Sequence, residues 1–153
     1  MASLVNSGHK LRMNQLLASH REKLLQRIDA IPAFQTLQVR ILTMEHGYCE
    51  AIVPQGTALN GIFDTYHGGM LATAADTIAC FSLLTVINPE ERVTTTDLHI
   101  RYLAPCVTDA RVVARPIKVG KSLCPIQVDL YDMHDTHVAT AQVTYIRLTE
   151  RKS

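Results

Sequence analysis

The sequence predicts an α+β fold in which an antiparallel β-sheet wraps around a long central α-helix, with an extra helix at the N-terminus. The first observation is that Gly69–Val86 has apolar residues on every helical face, so this helix must be buried on nearly all sides. The second is that strand-like segments separated by short turns lie before and after it. Runs of strands around one helix favour an antiparallel sheet, because parallel sheets alternate strands with helices.

The remaining elements follow from hydrophobic periodicity and turn residues. Leu11–Ile31 has apolar residues at helical spacing and ends at Pro32, which predicts the N-terminal helix. Six segments have the composition of strands, namely Gln35–Met44, Tyr48–Val53, Val93–Leu103, Arg111–Val119, Cys124–Tyr131 and His137–Leu148. For a chain of 153 residues we expect a helical extension over residues 1–34 and one sheet-containing domain over residues 35–150.

Composition argues against several classes of function. The formal net charge is +1, so neither a nucleic-acid partner nor a disordered acidic tail is indicated. No two of the four cysteines are closer than 18 residues, which fits neither a zinc site nor a disulfide framework, and we expect no metal. No segment has the character of a membrane span. We expect a cytoplasmic location, with a mitochondrial presequence left open because the first acidic residue is Glu22.

Asp76 is the only formally charged residue between Asp64 and Glu90. It lies about two turns into the predicted central helix, too far from the helix start to cap it. A buried carboxylate must have hydrogen-bond partners or become neutral. Asp76 is therefore either a structural residue satisfied by Thr73, Thr77 or a nearby strand, or a carboxylate that acts as a base or nucleophile.

Two adjacent glycines, Gly68 and Gly69, lie at the start of this helix, where they leave backbone N–H groups uncovered. Such a terminus can polarise a carbonyl oxygen, or the glycines only allow the helix to pack closely. Eight residues separate Gly68 from Asp76, about 12 Å along a helix, which is too far for both to act on one atom. We therefore expect a site between two subunits, with the helix start of one facing the Asp76 of the other.

Other polar residues are further candidates, each with a plain structural alternative. His67 is an acid or a positional residue, and a hydroxyl within Thr94–Asp97 orients a water molecule or serves β propensity. Asn60 donates its amide to a carbonyl oxygen or shapes its loop. Arg101 contacts a phosphate or lies on a solvated face, and Gly120–Ser122 offers the cation of Lys121 and backbone donors or is a simple turn.

Two segments resemble the hotdog-fold acyl-CoA thioesterases. They are His67–Asp76, which reads HGGMLATAAD, and Thr95–Pro105, which reads TTDLHIRYLAP. The branch they resemble contains the PaaI-like proteins and those similar to thioesterase superfamily member 2, and the resemblance covers residues 35–148. It implies a hotdog fold and hydrolysis of an acyl-CoA to free acid and CoA. It also implies a homodimer that forms the active site, a homotetramer as a dimer of dimers, and no cofactor beyond the CoA of the substrate.

The resemblance implies a role for each matching position. Gly68 would polarise the thioester carbonyl with its backbone N–H, and His67 would lie near the thioester. Asp76, contributed by the other subunit, would activate water or attack the carbonyl, and Thr95 would orient the water. The positions implied in substrate binding lie in the loop, at the helix start and near the CoA phosphates, and they are Asn60, Gly69, Arg101, Lys121 and Ser122.

The loop before His67 departs from the family pattern, because it is one residue longer and has Asp64 where the family has glycine. This departure leaves the role of Asn60 open, and Thr94 takes the place of Thr95 if the strand begins with a bulge. The complete motif favours hydrolysis. The alternative is a hotdog protein that binds acyl-CoA or another small ligand without catalysis.

Overall fold

The computed structural model describes residues 16–148, which form a six-stranded antiparallel sheet and three α-helices. The elements in chain order are α1 (Ala18–Asp29), α2 (Pro32–Leu37), β1 (Arg40–Glu45), β2 (Tyr48–Val53), a 3-10 turn (Thr57–Leu59), α3 (Gly68–Leu84), β3 (Arg92–Tyr102), β4 (Ala110–Pro116), β5 (Leu123–Tyr131) and β6 (His137–Leu148). The predicted α+β class with a central helix is therefore confirmed.

The short helix α2 lies where the sequence predicts the start of the first strand. The prediction of a strand from Gln35 was wrong, because Pro32 begins a new helix as well as ending α1. In the first turn of a helix the missing proline N–H costs no hydrogen bond. Gln38 ends α2 with a φ of 51°, and β1 begins only at Arg40. Residues 11–15 of the predicted N-terminal helix lie outside the described residues.

The first two helices contribute side chains to the hydrophobic core. Leu24, Ile28 and Leu37 are buried in the same hydrophobic cluster as the inner face of the sheet. The expected domain boundary between residues 34 and 35 falls within α2. Residues 149 and 150, the last two of the expected domain, lie outside the described part of the chain. In the described chain, α1 therefore contributes to the core around the central helix.

The central helix α3 lies against the inner face of the sheet. Nine of its 17 residues are buried, Gly69 is exposed and the others are half-buried, so one chain encloses the helix less completely than its apolar faces predict. It contacts β2, β3, β4, β5 and β6, so five of the six strands hold it in place. Within residues 16–148, no helix has the length and hydropathy needed to cross a membrane.

Strand register decides which side chains of β3 and β6 point toward α3. The strand order is β1-β2-β4-β5-β6-β3, so β1 and β3 form the two edges. Alternate residues of β6 are buried beneath α3, and these are Ala139, Ala141, Val143 and Tyr145. Thr95 pairs with Tyr145, and the register of β3 then shifts before Asp97. Because paired residues share a face, Thr95 lies on the α3 side of the sheet and Asp97 lies on the outer side.

Candidate active site

Asp76 is held by two hydroxyl groups that come from neighbouring strands. Its Oδ1 lies 2.6 Å from the Tyr145 hydroxyl and 3.0 Å from the Thr95 hydroxyl. The Tyr145 hydroxyl is also 2.6 Å from the Asp76 backbone carbonyl oxygen. No hydrogen-bond partner for Oδ2 is found among residues 16–148. One carboxylate oxygen is therefore fixed, while the other is available for a proton or an electrophile.

The nearby threonines of α3 are not the partners of Asp76. The Thr77 hydroxyl donates to the Thr73 carbonyl at 2.7 Å, and the Thr73 hydroxyl donates to the Gly69 carbonyl at 2.9 Å. Both hydroxyls thus bond to the backbone of the preceding turn. Of the alternatives that the sequence leaves open, the strand supplies the partners.

Tyr145 is a site residue that sequence reasoning missed. Its side chain is buried, and burial raises the pKa of the phenol far above its ordinary range, with the nearby Cys80 and Asp76 adding to the shift. The phenol therefore stays a neutral hydrogen-bond donor. The sequence contained a clue, because Tyr145 follows Ala139, Ala141 and Val143 on the buried face of β6, and a buried tyrosine hydroxyl needs a partner.

Cys80 lies one helical turn beyond Asp76. Burial, reinforced by the charge of Asp76, raises the pKa of this thiol to about 12. The thiol is therefore neutral at physiological pH and lacks the thiolate character of a nucleophile. It forms part of an apolar surface next to the carboxylate.

The start of α3 leaves one backbone donor open. His67 caps the helix, because its Nδ1 accepts a hydrogen bond from the Gly69 N–H at 2.9 Å. The N–H groups of Met70 and Leu71 donate to the His67 carbonyl at 2.9 and 3.0 Å. No acceptor for the Gly68 N–H is found among the described residues. Of the first-turn donors, Gly68 is therefore the one that a ligand can use.

The cap also determines how the His67 ring can act. A neutral imidazole that accepts at Nδ1 carries its proton on Nε2. The side chain is exposed, so this second nitrogen is free to donate to a ligand at the helix start.

Tyr102 contacts the same helix start, and sequence reasoning also missed it. Its hydroxyl donates to the Gly68 carbonyl at 2.5 Å, and a β-carbon on Gly68 would lie 3.1 Å from the Tyr102 ring. Glycine thus allows this close approach. The two residues open onto a cleft of about 500 Å³, whose apolar walls include Phe63, Tyr66, Leu71 and Leu103.

The loop before the helix turns at Asp64. Asp64 has a φ of 56°, a left-handed conformation that aspartate adopts more readily than most residues. Phe63 beside it is 84% exposed. Asn60 pairs with Tyr66 through an isolated bridge, and its side-chain oxygen accepts from the Gln55 amide at 3.1 Å. The NH₂ group of the Asn60 amide has no acceptor among the described residues and can donate to a ligand.

The candidates for phosphate contacts lie in two different places. Arg101 is exposed and lies on the outer face of β3, because the register shift after Thr95 exchanges the faces of the residues that follow. Within one chain it is therefore on the opposite side of the sheet from Asp76. Lys121 lines a cleft of about 480 Å³ with Arg92 and Arg147, near the start of β3. Ser122 accepts from the Arg147 N–H at 2.8 Å through its carbonyl oxygen. In the part of the chain that the structure describes, no cluster of three or more His, Cys, Asp or Glu is arranged to hold a metal ion.

Comparisons with known proteins agree with this architecture. The family model described as a domain of unknown function, DUF4442, matches residues 22–146. No curated protein matches the chain.

Solved structures are similar over most of the chain. A thioesterase family protein from Silicibacter pomeroyi has a TM-score of 0.79 at 22% identity and covers 84% of this chain and 98% of its own. The E. coli PaaI protein from the phenylacetic acid degradation operon has a TM-score of 0.79 at 15% identity, with 88% and 96% covered. A thioesterase from Haemophilus influenzae has a TM-score of 0.76 at 20% identity, with 82% and 88% covered. The predicted hotdog fold is therefore confirmed.

Proposed function

The chain belongs to the DUF4442 family, and from the geometry of its site we propose that it hydrolyses an acyl-CoA thioester to a free acid and CoA. One observation carries this proposal. Asp76 has one oxygen fixed by Tyr145 and Thr95 and the other without a partner among the described residues, inside a helix that carries no other charge. A carboxylate kept in such surroundings is typical of a catalytic group.

The free oxygen of Asp76 suits either of two routes of hydrolysis. As a general base, Oδ2 takes a proton from water while the water oxygen bonds to the thioester carbon. As a nucleophile, it bonds to that carbon itself and forms an anhydride, which water then cleaves. In both routes the carbon–sulfur bond breaks and the CoA thiolate leaves and takes up a proton. Thr95, beside the carboxylate, is placed to orient the attacking water.

The oxyanion of the reaction requires hydrogen-bond donors at the carbonyl oxygen. The open N–H of Gly68 lies at the positive end of α3, which favours negative charge. His67 adds the N–H of Nε2, and the NH₂ group of Asn60 is a further donor in the adjacent loop. Gly69 contributes by orienting His67 through its backbone N–H.

A site shared between two chains is supported by the contacts of β3. Thr95 contacts Asp76 near one end of this strand, and Tyr102 contacts Gly68 at the other. The seven intervening steps span about 20 Å of extended strand, so one carbonyl cannot reach both groups in one chain. β3 is an exposed edge of 11 residues, which favours pairing with a second copy. Antiparallel pairing centred near Leu98 would bring Thr95 of each copy close to Tyr102 of the other.

The assembly and the CoA contacts complete the proposal. Such a homodimer carries two sites, and a tetramer then forms as a dimer of dimers. Lys121 and Arg92 supply exposed cations near the Thr95 end of β3 that suit CoA phosphates, with Ser122 in the same turn. Arg101, on the outer face, reaches a CoA only if another subunit brings that face to it. The thioesterases among the structural neighbours support the reaction class.

A thiol-release assay with Asp76→Asn tests the proposal. Asparagine keeps the oxygen that accepts from Tyr145 and Thr95 but cannot take a proton, so we expect unchanged folding and a kcat lower by about 10²–10⁴-fold. The substrates are short, long and aromatic acyl-CoAs. Asp97→Asn is the matched control, since Asp97 lies on the outer face, and it should retain activity.

Two outcomes would contradict the proposal. If Asp76→Asn hydrolyses acyl-CoA like the wild type, Asp76 is not part of the mechanism. If the wild type releases no thiol from any acyl-CoA, the protein is a binder of acyl-CoA or a related ligand rather than a hydrolase.

A further inference from the structure

A second pocket with apolar walls lies one helical turn beyond Asp76, where Cys80 lines it. It has a volume of about 250 Å³ and lies between α1, α3 and β3. Its apolar walls are Ile28, Ile31, Cys80, Phe81, Leu84 and Val93. We propose that this pocket receives the acyl tail of the thioester, an inference that rests on the proposed thioester hydrolysis.

The positions of two lining residues connect the pocket to the carboxylate. Cys80 is four residues after Asp76 and therefore lies on the same face of α3, one turn away. Val93 is two residues before Thr95, and the register of β3 is regular between them, so both side chains point the same way. An acyl chain whose carbonyl carbon is at Asp76 thus has an apolar volume about one helical turn away.

The character of the walls suits a hydrocarbon. Ile28, Phe81 and Leu84 are buried, and the Cys80 thiol stays neutral. Each methylene that such a pocket removes from water contributes about 0.8 kcal/mol, or roughly fourfold in affinity. The other two lining residues, Arg27 and Arg92, are exposed and so lie toward the opening. The cleft at Gly68 is twice as large and has exposed Phe63 on its wall, which suits a bulkier group than an acyl tail.

The volume sets the class of acyl group. An apolar cavity of roughly 150 Å³ accommodates benzene, so this pocket holds a single aromatic ring. If a methylene group takes about the 30 Å³ that a water molecule takes in the liquid, the pocket holds a straight chain of about eight carbons. A long fatty-acyl chain exceeds it.

The N-terminal helix thereby acquires a role in specificity. Ile28 belongs to α1, and Ile31 lies in the link to α2, so one wall of the pocket comes from outside the sheet and its central helix. The Arg27 side chain also donates to the Pro89 carbonyl, which ties α1 to the segment before β3. Substitutions in this wall should change which acyl groups bind without removing the reacting groups.

Binding of non-hydrolysable S-alkyl-CoA thioethers tests the pocket separately from the reaction. Dissociation constants for the S-butyl, S-hexyl, S-octyl and S-dodecyl thioethers are measured by calorimetry with the full-length protein. For the wild type, affinity should rise by up to fourfold per methylene to about eight carbons and then level off or fall. Thiol release from the corresponding acyl-CoAs is measured in parallel.

Two substitutions at Ile31 change the pocket volume in opposite directions. Ile31→Trp fills the pocket, so the gain in affinity from the S-butyl to the S-octyl thioether should be at least tenfold smaller than in the wild type. Ile31→Ala enlarges the pocket, so the thioether bound most tightly should have a longer chain. Leu42→Trp is the matched control, because Leu42 is an exposed apolar residue on β1, and it should keep the wild-type profile. Circular dichroism checks folding, and if Ile31→Trp fails to fold, the Ile31→Ala profile decides.

Each result separates this inference from the proposed function. A wild-type affinity that does not depend on chain length, or a profile that folded Ile31 variants leave unchanged, overturns the pocket assignment whether or not thioesters are hydrolysed. The expected binding profile without any thiol release upholds the pocket and refutes hydrolysis.

Discussion

The two ends of β3 carry the two halves of the proposed site, and they are built differently. At the Thr95 end, a side-chain carboxylate is fixed by hydroxyl groups from two strands and backed by the buried Tyr145. At the Tyr102 end, the proposed polarising group is a backbone N–H that helix geometry aims, while the Tyr102 and His67 side chains bond to the backbone beside it. A flexible carboxylate needs partners to hold it, whereas a helix start aims its donors by its own dihedral angles. The Thr95 end therefore has a base but no donor for the carbonyl oxygen, and the Tyr102 end has the donor but no base.

The largest change in activity is expected when two inactive variants are mixed. Gly68→Pro removes the N–H at the first helical position, where proline suits the backbone although its β-carbon displaces the Tyr102 ring slightly. Asp76→Asn removes the base, so each homodimer should lose about 10²-fold or more in kcat. In a random mixture, half the dimers carry one chain of each kind and one intact site, so activity should recover to about a quarter of wild type. The measurement is thiol release from co-expressed, differently tagged chains.

Mixing Asp76→Asn with an outer-face variant such as His99→Ala serves as the control for subunit exchange. Both variants alone and together should be folded by circular dichroism. Failure of the mixture to recover activity, with exchange demonstrated by the tags, would show that one chain holds the whole site.

An intermediate change in kcat is expected when the tyrosine at each end of the proposed site is replaced by phenylalanine. Tyr145→Phe removes a hydrogen bond to a carboxylate, worth about 1.5–3 kcal/mol, and should lower kcat by about 10- to 100-fold with KM little changed. Tyr102→Phe removes a neutral hydrogen bond to the Gly68 carbonyl, worth about 1 kcal/mol, and should cost only a few-fold. Steady-state kinetics on one acyl-CoA compares them. Equal losses of kcat would contradict this comparison, because they would mean that Tyr145 matters no more to Asp76 than Tyr102 matters to the start of α3.

The smallest effect concerns alkaline stability at the Asp76 end. Burial, with the charge of Asp76, raises the pKa of Cys80 from 9.0 to about 12 in the folded chain. The folded state therefore favours the neutral thiol, so this stabilisation is complete below pH 9 and is lost as the pH rises toward 12. The loss amounts to at most about 1.4 kcal/mol per pH unit for this thiol.

Urea midpoints at pH 8, 9, 10 and 11 measure this effect in the wild type and in Cys80→Ala. The difference in urea midpoint between the wild type and Cys80→Ala should be constant up to pH 9. Above pH 9 this difference should narrow, because the wild type loses the stabilisation that its neutral thiol contributes. Parallel curves to pH 11 would show that Cys80 is solvated and that the Asp76 end is less buried than its contacts indicate.

Hydrophobic periodicity predicts most of the fold because each element buries a continuous face. The apolar character of Gly69–Val86 predicts α3 to within two residues at each end, and the segment after Ala110 yields three strands in the expected order. Periodicity fails at α2, since six residues are too few to distinguish a short helix from a strand. There Pro32 decides, because it suits the first turn of a helix.

The candidate site was predictable only in part. Asp76 stands out because a charge within an apolar helix is unusual, and Gly68 stands out as a glycine at a helix start. Tyr102 does not stand out, since it fits the ordinary composition of its strand, and Tyr145 is indicated only by its place on a buried, largely apolar face. The register shift after Thr95 also places Thr95 rather than Thr94 beside the carboxylate and turns Arg101 to the outer face.

The sequence by itself determined the central helix, the isolated carboxylate within it and the glycines at its start, because these depend on residue type and on spacing along one segment. The tertiary structure decided which carboxylate oxygen is free, which hydroxyls fix the other, and which pocket lies beside it. Those properties depend on the order and register of strands that are distant in sequence, and a shift of one residue exchanges the two faces of a strand.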